Sequence, residues 1–354
     1  MASGEIGGRT AQIEATGEVT CATYDPAALK PGEVRIRTVT SAISPGTEMT
    51  YYGRNATNVY LNKTWNPDLR LFDEGAPTQS YPIVFGYRAA GVVSETRADE
   101  VEVGQRVYGN WRHTEFTTMS GGKAQAQLVP EHLSWDDAVD LGQMGPICVN
   151  AVAFGEGLEA GRPAAIYGAG PVGLITAQIV KAAGAFPVYV VDRIAERLAI
   201  ASGLGMETIL VEDVDVAREL KTRHGADGLP VIWECSGSTV ALHQAIRTVM
   251  RQGLVVAVGF YQAEALGLYL GDEFHHNGVR IVSGQIGNIH TGLDIASLRA
   301  RTIDLVSSGA LVLGALPRLR VAIDEVAVAF EALKRPDEVL QTALTFEPSG
   351  AASV

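Results

Sequence analysis

The segment Gly168-Ala-Gly-Pro-Val-Gly173 constrains this chain more than any other. It follows an apolar run, Pro163-Ala-Ala-Ile-Tyr167, and precedes Val172, Ile175, Ile179 and Ala182 at helical spacing, with Gly184 ending the helix. In a strand–turn–helix unit the first glycine permits the tight turn. The second admits a pyrophosphate against the backbone, and the third lets helix and strand pack closely. The helix start, with Pro171 and Val172 in its first turn, then offers unpaired N–H groups and a positive dipole end to phosphates. Asp192 closes the next apolar run, Phe186-Pro-Val-Tyr-Val-Val-Asp192, nineteen residues after Gly173. A carboxylate there accepts both ribose hydroxyls and repels a 2′-phosphate, so the spacing predicts NAD(H) rather than NADP(H). The alternative for Asp192 is a helix N-cap, and Arg193 beside it is the feature that would soften the preference.

Two patterns succeed each other along the 354 residues. From about 9 to 135 the segments are short and β-like. Glu33-Val-Arg-Ile-Arg-Thr-Val alternates, and Ala89-Ala-Gly-Val-Val-Ser and Ala124-Gln-Ala-Gln-Leu-Val-Pro are further short strands between glycines. From about 162 strands alternate with helices: a helical Ile194–Leu204, a strand Leu229-Pro-Val-Ile-Trp-Glu, a helix from Ser238/Thr239 to Gly253, and a strand Leu254-Val-Val-Ala-Val-Gly. That alternation predicts an α/β fold with a parallel sheet covered on both faces. A helix around Ile323–Leu333 and a strand Gln341–Phe346 return to the first domain. Residues 54–80 show no periodicity and carry Tyr60, Trp65 and Phe72, the pattern of a lid or a surface excursion.

Composition excludes other classes. The formal charge is −12 with no Lys/Arg cluster, which argues against nucleic acid or an anionic membrane as a partner. Cys21, Cys148 and Cys235 are odd in number and far apart, so a disulfide framework and a four-cysteine zinc site are both excluded. The expectation is a reducing, cytoplasmic setting. Met1-Ala-Ser-Gly-Glu-Ile-Gly-Gly-Arg has no apolar core of a signal peptide, and the uncharged stretch Pro163 to Val180 is broken by glycines and proline.

With these patterns the chain resembles the medium-chain dehydrogenase/reductase superfamily. The resemblance rests on Ile43-Ser-Pro-Gly-Thr-Glu48, Pro82-Ile-Val-Phe-Gly-Tyr-Arg-Ala-Ala-Gly-Val-Val93, Gly104-Gln-Arg-Val-Tyr108, the stretch from Gly168 to Arg197, and Val231-Ile-Trp-Glu-Cys-Ser-Gly237. The first of these, with Asp272-Glu-Phe-His-His and Ser283-Gly-Gln-Ile-Gly, is similar to the polyol, threonine and bacteriochlorophyllide dehydrogenase branch. The resemblance implies a GroES-like β-barrel catalytic domain (1–145 and 291–354) and a Rossmann doubly wound parallel sheet (146–290). It adds Gly168, Gly170, Pro171, Val172, Gly173, Asp192, Arg193, Arg197, Cys235, Ser236 and Gly259 as cofactor-binding residues. It also implies a homo-oligomer, dimer or tetramer, formed through an edge strand at Gly278–Gln285.

Zinc-dependent members carry ligands where this chain has Ser44, Tyr87-Arg88 and Gly145. Zinc needs thiolate, imidazole or carboxylate donors, so the expectation is no zinc. Side chains must then supply the proton acceptor and charge stabilisation that the metal would give. Thr47, Glu48 and Tyr87 are the catalytic candidates, and Ser44, Arg88, Trp65 and Trp111 the substrate-contacting ones. Thr50 stands where many relatives carry a relay histidine. Each candidate has a structural alternative: Thr47 as a turn cap, Glu48 paired with an arginine such as Arg88, Tyr87 as packing. His113 and the His275-His276 pair lie outside any ligand spacing, and Cys148 has no adjacent base.

Three functions compete at this stage. The first is an NAD(H)-dependent, zinc-independent dehydrogenase of a secondary alcohol or its ketone, acting on a hydroxylated metabolite such as a sugar, a cyclitol or a natural-product intermediate. The second is a zinc-free enoyl- or quinone-type double-bond reductase, which would favour NADPH. The third is a nucleotide-binding protein without chemistry.

Overall fold

The computed structural model describes residues 7–53, 57–212, 214–262 and 264–346. The opening residues 1–6, on which the signal-peptide reading falls, and 54–56 of the expected lid lie outside them. The chain divides into two compact units: Met1–Gln143 with Arg318–Arg335 and Gln341–Val354, and Met144–Pro317 with Pro336–Leu340.

The second unit is built on six parallel strands, in the order Glu207–Leu210, Val188–Asp192, Ala164–Tyr167, Val231–Glu234, Leu254–Ala257 and Arg280–Ser283. Strand periodicity sends alternate residues to opposite faces. Ile166, Val190, Trp233 and Val256 therefore share one core with the helices Met144–Ala153, Pro171–Ala182 and Ile295–Ser307. Ala165, Val191, Ile232 and Val255 face the other core, against Val216–His224 and Thr239–Thr248. Both faces are covered, which is why these strands are continuous apolar runs rather than alternating ones. The strand order reverses between Ala164–Tyr167 and Val231–Glu234, the switch point where such sheets bind ligands.

Two sequence expectations change here. The chain leaves this unit at Arg318, not at 291, because Leu298, Leu311, Leu313 and Leu316 join the core of Ile166 and Val190. The strand Glu207–Leu210 and the helix Val216–His224 escaped the sequence reading. The helix carries charge on most of its surface and buries only Val216, Ala217 and Leu220.

In the first unit the strand Glu33–Ala42 is the hub. It pairs antiparallel with Ala89–Thr96, Phe116–Ser120 and Thr342–Thr345. Val34 and Ile36 point into a core with Val93, Val107 and Met119. A second sheet joins Gly8–Ile13 to Val19–Tyr24 and Ile83–Val84. The expected strand at Ala124–Pro130 is instead a helix, Gly121–Gln125, started by the Ser120 hydroxyl accepting the Lys123 N–H at 3.3 Å. Only a single bridge, Val107 to Leu128, remains of the expected strand. Residues 57–80 are also more ordered than their sequence suggests. Thr64–Asn66 and Leu71–Asp73 form a hairpin, with Trp65 and Tyr60 packed on Phe72 at 4.8 and 5.4 Å.

Arg88 ties this unit together. Its side chain is fully buried; Nε and Nη2 donate to Asp140 at 2.9 and 2.5 Å, Nη1 to the Ile43 carbonyl, and Nη2 also to Gln341. The second Asp140 oxygen takes Arg318. Removing one member of such a buried network leaves a charge without compensation. Asp140→Asn is expected to destabilise the chain by about 3–5 kcal/mol, read as a lowered urea midpoint. A midpoint within about 0.5 kcal/mol of the parent would contradict this role.

Candidate functional site

In the dinucleotide-type unit the glycine turn takes the conformation its sequence dictates. Gly168 has φ +100°, and a Cβ there would lie 2.9 Å from the Ser236 amide nitrogen. A Cβ on Gly173 would lie 1.8 Å from the Gly168 carbonyl oxygen. Gly170 is the N-cap of Pro171–Ala182, with no side chain capping its N–H groups and Pro171 in the first turn. Added bulk at Gly170 would meet only Arg197 Nη1, at 3.9 Å. Asp192 ends its strand with Oδ2 accepting the Ala169 N–H at 2.6 Å and Oδ1 the Ile194 N–H at 2.9 Å. It is no cap for the next helix, whose N-cap is Ile194. Arg193 is exposed. Arg197 donates from Nε to the Pro336 carbonyl at 2.9 Å, and burial lowers its basicity against the pull of Asp192.

The neighbouring turn, Cys235-Ser236-Gly237, is set by a residue that sequence reasoning passed over. Glu234 is buried at the end of its strand. Oε1 accepts the Ser236 N–H at 2.8 Å and its hydroxyl, and Oε2 accepts the Gly237 N–H at 3.1 Å and the Tyr261 hydroxyl. Burial pushes this carboxyl above the usual range, while these four donors work the other way. Gly259 lies against the same turn: a Cβ there would sit 2.2 Å from the Gly237 nitrogen. The Cys235 thiol is raised well above its ordinary value, first by burial and then by Glu234, so it stays a thiol. These donors, open backbone and close approaches suit a dinucleotide's phosphates and ribose.

The barrel-type unit holds a second cluster. Glu48 begins the 3₁₀ turn Glu48–Thr50 and is 2% exposed. Its Oε2 lies 3.0 Å from His113 Nε2, and His113 Nδ1 lies 2.5 Å from Ser41 Oγ. The Ser41 hydroxyl donates to the Arg88 carbonyl at 2.9 Å, so the contact to Nδ1 needs the imidazole N–H as donor. Nε2 and Oε2 must then share a further proton between them. Glu48 Oε1 is buried and has no partner among the described residues. Tyr87 feels the charge of this carboxylate. Burial, then Glu48, raise its phenol above the ordinary value; the Ser44 and Thr47 hydroxyls and Arg88 oppose the rise. The cluster thus offers a protonated phenol and a buried carboxylate oxygen without a partner among the described residues. Gly86, at φ +115°, lets the backbone pass His113: a Cβ there would be 2.5 Å from the His113 nitrogen.

Several expectations are revised by this geometry. Glu48 pairs with His113, not Arg88, because Arg88 is spent on Asp140. With its donors committed to Asp140, Ile43 and Gln341, Arg88 has none left for a substrate. Trp111 is a core residue, 7% exposed, with Nε1 donating to Thr38 Oγ1 at 3.0 Å. Trp65 is taken up in the hairpin stack with Phe72. Thr47 makes no side-chain cap on its turn. Thr50 is already committed, donating to the Thr47 carbonyl at 2.6 Å and accepting from Asn58 at 2.8 Å. Cys148 is buried, as its surroundings predicted. His113 left no signal in spacing, since it lies 65 residues from Glu48.

The comparisons with known proteins agree with this architecture. The zinc-binding dehydrogenase family matches residues 171–297. D-guloside 3-dehydrogenase of Escherichia coli (strain K12) is 29% identical over 274 residues, 73% of this chain and 75% of that protein. (R,R)-butanediol dehydrogenase of Bacillus subtilis (strain 168) is 34% identical over 166 residues, 45% of this chain and 44% of that one. The crystal structure of 2R,3R-butanediol dehydrogenase from Bacillus subtilis superposes with a TM-score of 0.76 at 20% identity, covering 96% of this chain and 100% of that chain. Among the described residues no helix is long and apolar enough to cross a membrane. A six-stranded doubly wound sheet, a separate sheet unit and these relatives make the chain similar to the medium-chain dehydrogenase/reductase superfamily in fold and sequence.

Proposed function

We propose that this chain is an NAD(H)-dependent oxidoreductase that works without zinc, on a secondary alcohol or ketone of a small hydroxylated metabolite such as a sugar, a cyclitol or a natural-product intermediate. One observation carries the reading: a buried carboxylate with one oxygen on His113, the other unpartnered among the described residues, and a charge that Tyr87 feels. The relatives named above are, by name, dehydrogenases of a guloside and of a butanediol, which supports a hydroxylated substrate.

The donor set does not suit zinc. Ser44 and Tyr87 offer neutral hydroxyls, and Gly145 offers no side chain at all. The space at Gly145 is filled, since a Cβ there would be 2.2 Å from Thr302 Cγ2. No step is assigned to a metal for that reason.

Gly168, Gly170, Gly173, Asp192 and the Cys235-Ser236 turn would hold the dinucleotide. When bound, the nicotinamide supplies the hydride acceptor or donor. The protein's own task is the proton. Tyr87, kept protonated by burial and by Glu48, donates a hydrogen bond to the substrate oxygen and stabilises charge on it. Glu48 receives the proton that an oxidised alcohol gives up, and returns it in the reverse direction. His113 and Ser41 fix the carboxylate, and their chain of bonds ends at the Arg88 carbonyl, so they position Glu48 rather than lead the proton away. Asp192 favours a free ribose 2′-hydroxyl, which supports NAD(H). A homo-oligomer, dimer or tetramer, fits the open edge of Arg280–Ser283. Light scattering at micromolar concentration should return at least twice the 37.5 kDa chain mass, and a monomer would end that proposal.

Separate titrations with NADH and NADPH are expected to show tighter NADH binding, and Asp192→Ser to erase about tenfold of the difference, ~1.4 kcal/mol. A parent chain that prefers NADPH would instead support the double-bond reductase. Against a panel of sugars and cyclitols, Tyr87→Phe and Glu48→Gln are expected to lower kcat by about 10²–10⁴, with Thr47→Val smaller. Full turnover by all three would remove the assignment. Stoichiometric zinc that is lost on Ser44→Ala or Tyr87→Phe would overturn the metal-free reading.

A further inference from the structure

The Asp272-Glu-Phe-His-His stretch takes no part in the chemistry above, yet the fold brings its two carboxylates to a histidine. The helix Thr239–Thr248 carries His243, and the irregular turn Leu270–Phe274 carries Asp272 and Glu273. One ligand atom from each of the three lies within 4.8 Å of the other two. His243 is 9% exposed, and its Nδ1 is buried with no hydrogen-bond partner among the described residues. The Tyr269 ring packs against the imidazole at 5.4 Å, interplanar 75°, and helps fix its plane. A buried imidazole nitrogen without a partner is costly, and a bound ion is one of the few things that would satisfy it.

Charge points the same way. Asp272 is exposed and Glu273 half-buried. The cations that face them are Arg247 and Lys221. Arg247 is shared: its Nη2 sits on Asp215 at 2.8 Å, and its Nε reaches Glu273 only at 3.4 Å. Lys221 acts on Glu273 electrostatically, without an ion pair among the described contacts. The two carboxylates therefore keep negative charge that one shared guanidinium does not cancel.

We propose that His243, Asp272 and Glu273 bind a divalent transition cation, with Zn²⁺ the best match. One imidazole and two carboxylates are donors that Zn²⁺ accepts, and three protein ligands leave a position for water. The site lies wholly in the dinucleotide-type unit and uses none of Ser44, Thr47, Glu48 or Tyr87. It would act as a clasp, joining the helix Thr239–Thr248 to the turn that leads into the edge strand Arg280–Ser283. It stands independently of the proposed reaction.

The test uses the metal-stripped full chain, titrated with ZnCl₂ by calorimetry and followed by thermal denaturation. One equivalent of Zn²⁺ should bind and raise the unfolding temperature. His243→Ala and Asp272→Asn should each weaken binding by at least about tenfold, whereas Ser44→Ala and Tyr87→Phe should leave it unchanged. Asp272 is exposed, so Asp272→Asn keeps the test meaningful if His243→Ala fails to fold. No saturable Zn²⁺ binding, or binding that Asp272→Asn leaves unchanged, would overturn the proposal.

Discussion

The dinucleotide-type unit depends on how closely two turns approach each other at the sheet's switch point. At Gly168, Gly173 and Gly259 any side chain would occupy space already held by backbone. Glycine costs conformational entropy on folding, and here that cost is tied to contact that no other residue permits. Glu234 completes the arrangement from below, fixing the second turn through the amides of Ser236 and Gly237. A buried carboxyl is an expensive fixture. Its four donors are what make it tolerable, and they also hold the turn in one conformation.

The other unit solves a similar problem with charge. Arg88 takes the place where metal-dependent relatives carry an acid by resemblance, and it is neutralised by Asp140, which also serves Arg318. That frees Glu48 from any arginine and leaves it to His113. The two networks meet at Arg88 itself: its side chain enters one and its carbonyl accepts from Ser41 in the other. A change meant for structure would therefore also be felt by the proton-bearing pair.

How much of this was legible follows from the range of each interaction. Local signals were plain. The glycine turn, the apolar strands of the second unit and Asp192 all announce themselves within a few residues. Nonlocal partners were hidden. Nothing near Glu48 names His113, and Arg88 finds Asp140 52 residues away. The helix Gly121–Gln125 was missed because its short, alternating sequence also suits a strand. The boundary at Arg318 was missed because the helix Ile295–Ser307 has only a narrow buried face, through Leu298 and Thr302. Glu234 lay inside a quoted motif, but nothing in the sequence distinguishes a carboxylate that supports a turn from one that ends a strand.

The packing at Gly145 limits which side chains that position can take. Thr302 is fully buried and bonded through its hydroxyl to the Leu298 carbonyl at 2.8 Å, so it has little freedom to swing aside. A cysteine or glutamate at 145 would have to push the helix Ile295–Ser307 off Met144–Ala153 before it could offer a donor. A designer who wanted a donor side chain at 145 would have to begin with Thr302.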